Sequence, residues 1–264
     1  MTLVFARRGA ADVAPENSLV AIEHALRAGV DGIEVEARLS RDAELVVIRD
    51  ASVSVSAAAR DGAAKAIDGA VEQRVLVEQL TLAELKTVDI GGGREGCVGT
   101  RIPTLAEVLD LLAGSDAHLV VDIKEDPQHR EGASPAAIAV AELVRKRQLH
   151  DRVTLTSTNH ISMAAISVAH PKLQVGLRHL VVMEESAQYA AELGAGSLHP
   201  VSVGAAVGDV NDEERSVMVC ASTLVAAFWP VSEEEQLDQL FELGVDAVVT
   251  DSYQSALTRR GASA

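Results

Sequence analysis

The sequence predicts an α/β chain closed into a (β/α)8 barrel with a small inserted hairpin arm, and three observations carry that expectation. Eight strand-like apolar runs begin at Leu3, Gly32, His118, Arg152, Leu173, Gly196, Val225 and Ala247. Most of them alternate with stretches of helical spacing. The length of 264 residues suits one such barrel better than an open sheet. One domain over residues 1–264 is therefore expected, with residues from about 51 to 100 as an inserted excursion.

Leu3-Val4-Phe5-Ala6 reads as a short buried strand that ends at Arg7-Arg8-Gly9. Pro15-Glu16-Asn17-Ser18 then opens a helix carrying Leu19, Ile22 and Leu26, which Gly29 stops. A strand from Gly32 follows, and after a few polar residues Val46 to Ile48 form a second strand. That gap is too short for a helical crossover, so the two should make a hairpin. Residues 51–80, with Ser52, Ser54, Ser56 and Ala57-Ala58-Ala59, are assigned to an irregular excursion. Capping boxes mark helix starts at Thr81 with Glu84, Thr104 with Glu107, and Ser232 with Glu235. The cluster Gly91-Gly92-Gly93, with Gly96 and Gly99, lacks the Gly-Lys-Ser/Thr of a phosphate loop and is expected to be a surface loop.

The alternation is regular thereafter. Strands are expected at His118–Ile123, Arg152–Ser157, Leu173–Leu177, Gly196–His199, Val225–Val231 and Ala247–Thr250, and helices at Pro135–Arg147, Ile161–Ala169, Ser186–Leu193 and Glu233–Leu243.

Composition narrows the function. A 48% hydrophobic content allows a full core, and a formal charge of -16 repels nucleic acid and anionic membranes, so a bound anion needs a local basic cluster. Cys97 and Cys220 give neither a disulfide framework nor metal spacing. The apolar run at Leu3 leaves no room for a leader, and no uncharged run reaches membrane-spanning length, so a cytoplasmic protein is expected, of oligomeric state that the chain does not reveal. Three Phe, two Tyr and one Trp are too few to line a carbocation cavity.

In a parallel barrel the chemistry gathers at the carboxyl ends of the strands. Those ends carry Arg7, Arg8, Glu34, Glu36, Asp122, Lys124, Ser157, His179, His199, Trp229 and Asp251. Glu34 and Glu36 share one strand face, where two close carboxylates call for a hard divalent cation or an arginine. Three carboxylates and several cations at one rim are the composition of a metal-plus-phosphate site.

Over nearly its whole length the chain resembles the glycerophosphodiester phosphodiesterase family, whose fold is a TIM barrel with a short inserted hairpin. The family's His-Arg-Gly, Pro-Glu-Asn-Thr, Glu-x-Asp and His-Asp are met here by Arg7-Arg8-Gly9, Pro15-Glu16-Asn17-Ser18, Glu34-Val35-Glu36 and Arg49-Asp50. Its Glu-x-Lys, Trp-Thr-Val-Asn and Gly-Val-Asp-Gly-x-x-Thr-Asp look like Asp122-Ile123-Lys124, Trp229-Pro230-Val231-Ser232 and Gly244 to Asp251.

The resemblance implies metal positions at Glu34, Glu36 and Asp122 for one Mg2+ or Ca2+, with two of the three acids changed by one methylene. It implies phosphate contacts from Arg8 and Lys124, with Glu16 and Trp229 also on the substrate side. The family's two catalytic histidines are replaced by Arg7 and Arg49. A guanidinium stays protonated, so it clamps phosphate but cannot serve as a base. Ordinary two-histidine hydrolysis should be lost or severely reduced, since each proton-transfer group is typically worth ~100- to 10000-fold.

Three readings follow. In the first, the metal is kept and an anionic phosphorylated small molecule, such as a diphosphate, reacts through electrostatic stabilisation by Arg7, Arg8, Arg49 and Lys124. In the second, Arg7 and Arg49 pair with the three acids and leave a catalytically silent, anion-binding barrel. In the third, hydrolysis survives on relocated histidines, with His199, His179 and His160 as candidates.

Overall fold

The structure is a computed structural model that describes residues 1–56, 72–125, 129–179, 186–200, 225–228 and 234–262. Eight parallel strands close on themselves: β1 (Leu3–Arg7), β2 (Gly32–Leu39), β6 (His118–Ile123), β7 (Val153–Ser157), β8 (Gln174–His179), β9 (Ser197–Pro200), β10 (Val225–Phe228) and β11 (Ala247–Thr250). Each pairs with its neighbour in that order, and β1 pairs with both β11 and β2, which completes the ring. All eight expected barrel strands are present. β3 (Leu45–Val47) turns back antiparallel on β2 and forms the expected hairpin arm.

Strand alternation splits the apolar residues into two populations. Val4, Ala6, Ile33, Val35, Leu119 and Val121 join the large core beneath the helices, whereas Phe5, Val120, Ala247 and Val249 form a separate buried cluster inside the ring. A plug of this kind leaves the charged residues only the upper end of the lumen, and burying each large apolar side chain contributes ~1.5–3 kcal/mol.

The helices are α1 (Leu19–Arg27), α2 (Leu82–Leu85), α3 (Leu105–Leu112), α4 (Pro135–Lys146), α5 (His160–Ala169), α6 (Ser186–Glu192), α7 (Glu234–Leu243) and α8 (Tyr253–Ala262). Ser18 caps α1, and both described capping boxes form, at Thr81 with Glu84 and at Thr104 with Glu107. The box expected at Ser232 lies outside the described residues. Helix α8 was not expected, because a single residue, Ser252, separates its start from the turn that follows β11. Among the described residues no helix is long and apolar enough to cross a membrane.

One expectation is corrected. Part of the excursion is a two-stranded antiparallel ribbon, β4 (Ser52–Ser56) on β5 (Glu72–Leu76). The serines hid a period-two pattern, since Val53 and Val55 between them bury against Val75, Val77 and Leu80 in a satellite core. The glycine cluster is a turn-rich loop, as expected, pinned where Asp89 accepts from the Gly91 and Gly99 amides at 2.8 Å each.

Candidate metal centre

Glu34 and Glu36 stand two residues apart on β2, and parallel register sets Glu36 beside Asp122 of β6. One carboxylate oxygen of each of Glu34, Glu36 and Asp122 lies within 4.8 Å of the others, and all three residues are buried. Burial first, then the neighbouring Glu36, pushes the Glu34 carboxyl up to about 8, against the pull of Arg178, Arg8 and Arg7. Its Oε1 is buried without a hydrogen-bond partner. Such an atom costs ~1–3 kcal/mol, and a cation relieves it. Carboxylate oxygens are hard donors, so the group fits a hard divalent metal ion.

Glu36 has the opposite balance. Burial alone would raise its carboxyl, but Lys124 and Arg8 overcome burial and hold it below the usual range. Lys124 Nζ lies 3.1 Å from Glu36 and Arg8 Nε 2.7 Å from it, and Asn17 Nδ2 donates at 3.3 Å.

The loop after β1 builds this contact. Arg8 and Asn17 both adopt left-handed backbone, at φ 56° and 60°, which is uncommon for residues with a Cβ. The Arg8 amide donates to the Glu34 carbonyl at 2.7 Å, and the Asn17 amide donates to the Arg8 carbonyl at 2.9 Å. Between them Gly9 sits against α1 so closely that a Cβ would lie 2.7 Å from the Ala21 carbonyl carbon. Only glycine lets the chain pass there.

The cations are arranged differently from the expectation. Arg7 pairs with Asp251 at 2.8 Å. Arg49, 46% exposed at its side chain, pairs with Asp50 at 2.8 Å and faces Glu16 across 3.7 Å. Glu16 also accepts from Arg8 at 2.8 Å. The pairing of Arg7 and Arg49 with the three acids is therefore corrected: Arg8 and Lys124 pair with Glu36, and Lys124 and Arg178 with Asp122. Lys124 Nζ lies 2.5 Å from Asp122 Oδ2, and the Arg178 guanidinium contacts the same oxygen. Arg49, Glu16 and Asn17 border a cleft of about 670 Å³ shared with Arg74 of the ribbon, and Lys124 borders a second of about 560 Å³ with Arg38 and Glu125.

Arg178 is the residue contacting the acidic group that the sequence reading missed. His179 was taken as the end of its strand, yet alternation puts Gly176 and Arg178 on the lumen face. A Cβ on Gly176 would meet Ser197 and His199, two lumen residues of β9, each at 2.5 Å. That period-two step was the available signal.

Two of the three candidate histidines, His199 and His160, are corrected too. His199 is buried, joined to Ser197 Oγ at 2.8 Å, and held neutral: burial foremost, then Arg178, His179 and His118, lower its pKa to about 3. It is not placed to exchange protons near neutral pH. His160 is spent on structure, with Nε2 on the Arg178 carbonyl at 2.9 Å and Nδ1 on Tyr189 Oη at 3.1 Å. Ser157 bonds the Ile123 carbonyl at 3.2 Å. Trp229 lies outside the described residues.

Fold and rim together define an α/β barrel with a buried acidic, cation-ringed centre at the carboxyl ends of its strands. The model of the glycerophosphoryl diester phosphodiesterase family matches residues 8–255, and the chain belongs to that family. It is 30% identical over 264 residues to a glycerophosphodiester phosphodiesterase of Caldanaerobacter subterraneus, covering 98% of this chain and 99% of the other. Against the Bacillus altitudinis glycerophosphodiester phosphodiesterase the identity is 29% over 253 residues, 95% of each chain. Among solved structures, an Oleispira antarctica phosphodiesterase in complex with the product sn-glycerol-3-phosphate superposes with a TM-score of 0.79 at 21% identity, covering 98% of this chain and 96% of that one.

Proposed function

We propose that the rim binds a phosphate- or diphosphate-bearing small molecule together with one divalent ion, Mg2+ or Ca2+, and acts on it without a histidine pair. The observation that supports this most is the Glu34, Glu36 and Asp122 group, in which a Glu34 oxygen lacks a donor inside a ring of cations. Those three residues would hold the ion. Bound there, a divalent ion supplies positive charge that polarises a phosphoryl oxygen.

The chain's own cations do the rest. Arg8 and Lys124 bind phosphate oxygens, and Arg7 and Arg49, at the positions of the family's histidines, widen the clamp. Glu16 orients Arg8 and Arg49 through opposite carboxylate oxygens. No guanidinium can protonate a departing alkoxide. A departing phosphate carries its own charge and needs no such proton, so a diphosphate ester suits this rim better than a glycerophosphodiester. The phosphate monoester bound by the Oleispira antarctica relative is a ligand of the same chemistry. The whole chain, 1–264, acts as one barrel domain, with the described residues of the excursion from about 51 to 100 shaping the substrate cleft and Trp229 as a further substrate-binding residue.

A binding-only barrel is the second reading, supported by the ion pairs that Arg8, Lys124 and Arg178 already make with the acids. A panel of phosphate monoesters, glycerophosphodiesters and diphosphate esters, assayed with and without Mg2+ or Ca2+, separates the two. Ion-dependent turnover of the diphosphate esters supports the first reading, and tight binding without turnover supports the second. Efficient glycerophosphocholine hydrolysis by the wild type overturns both.

A further inference from the structure

We infer that Arg178 is a resident counter-ion of the acidic group, which a divalent ion must push aside, so that the barrel alternates between an arginine-closed and a metal-loaded centre. This rests on the proposal that Glu34, Glu36 and Asp122 hold an ion.

Position is the first argument. Arg178 rises from β8, on the far side of β7 from β6, and its guanidinium contacts Asp122 Oδ2, the oxygen that Lys124 also approaches at 2.5 Å. With two cations on it, that oxygen can reach a metal only in competition with them. The side chain of Arg178 is only 11% exposed, and that of Asp122 only 2%. The pair is therefore not a solvent-screened surface contact.

Charge is the second argument. Glu36 and Asp122 already share three cations, Arg8, Lys124 and Arg178, so the centre carries its counter-charge without an ion. A divalent ion adds two charges, and one resident cation has to retreat. Arg8 is held between Glu36 and Glu16, and Lys124 between Glu36 and Asp122. Arg178 reaches in from another strand to contact Asp122, one of three acids whose oxygens lie within 4.8 Å of one another, so it is the cation that an ion at that group displaces.

Support is the third. The backbone at Arg178 is clamped, with its carbonyl 2.9 Å from His160 Nε2.

The test is calorimetry with Mg2+ and Ca2+ on the full chain, beside thermal melting with and without each ion. Arg178→Met should bind an ion ~10- to 100-fold tighter than wild type. It should also melt lower than wild type without an ion and gain more when one is added. Arg178→Lys, which keeps the charge, should stay near wild type on both readouts. If the methionine variant does not fold, Arg178→Gln gives the same comparison. Unchanged or weaker ion affinity in a folded neutral variant overturns the inference and leaves the metal reading standing. If neither wild type nor variant binds either ion, the metal reading falls and the inference with it.

Discussion

Arg7 and Asp251 meet at 2.8 Å although they lie 244 positions apart in the chain. The contact joins the end of β1 to the residue after β11, where the barrel closes. An arginine at the family's first histidine position has thus become part of the seam, and Arg49, at the second, leans on Glu16 and Asp50 at the lip of a cleft.

Restoring both histidines should therefore restore proton transfer. The double variant Arg7→His, Arg49→His is expected to raise glycerophosphocholine hydrolysis by ~100-fold or more in the presence of Mg2+ or Ca2+. A double variant no more active than wild type would show that the rim has diverged beyond those two positions.

Glu36→Gln removes the acid that Lys124 and Arg8 share. Two cations are then left beside an amide in a buried site, which costs ~3–5 kcal/mol. Urea denaturation should show a lower midpoint at an unchanged slope. A loss under ~1 kcal/mol would mean that solvent already screens these pairs.

Acid should remove the stability that two buried, neutral histidines contribute. Burial first and then Arg152 lower the His118 pKa to about 4, and His199 falls to about 3. Both folded values lie below the unfolded value of ~6.5, so the unfolded state binds more protons between them. The histidines' contribution is full above pH ~6.5 and is lost as pH drops towards 4, by up to ~1.4 kcal/mol per unit for each, while the raised Glu34 carboxyl contributes with the opposite sign. Replacing His118 by Gln should flatten that slope in denaturation measured from pH 7 to pH 4. An identical slope in the variant refutes the assignment.

Gly9→Ala puts a Cβ against α1 backbone at a φ of 78°. The strain should cost ~1–3 kcal/mol. It should also loosen Arg8, the preceding residue, so melting temperature and phosphate affinity are expected to fall together. A variant that melts like wild type would mean that the loop yields without cost.

Much of the fold was legible because a barrel strand is short, apolar and regularly spaced, and all eight barrel strands declared themselves that way. The ribbon was not, because serine at every second position of 52–56 disguised two buried valines. The three acids could be placed together because the step from Glu34 to Glu36 sets a common face and the next barrel strand supplies Asp122. Their partners could not. Which cation reaches Asp122 depends on side chains crossing a lumen, where Arg178 spans from β8 and Arg7 turns instead to Asp251. His199 looked like a strand-end candidate, but its depth in the barrel, which local spacing does not report, keeps it neutral.

The account stands on the acidic group as a cation site, and titration of the protein with Mg2+ and Ca2+ tests it most directly. One ion per chain is expected, with the heat abolished in Glu34→Gln and in Asp122→Asn while both variants stay folded. Equal heats in wild type and Glu34→Gln, or no heat from either ion in both wild type and Arg178→Met, would contradict it.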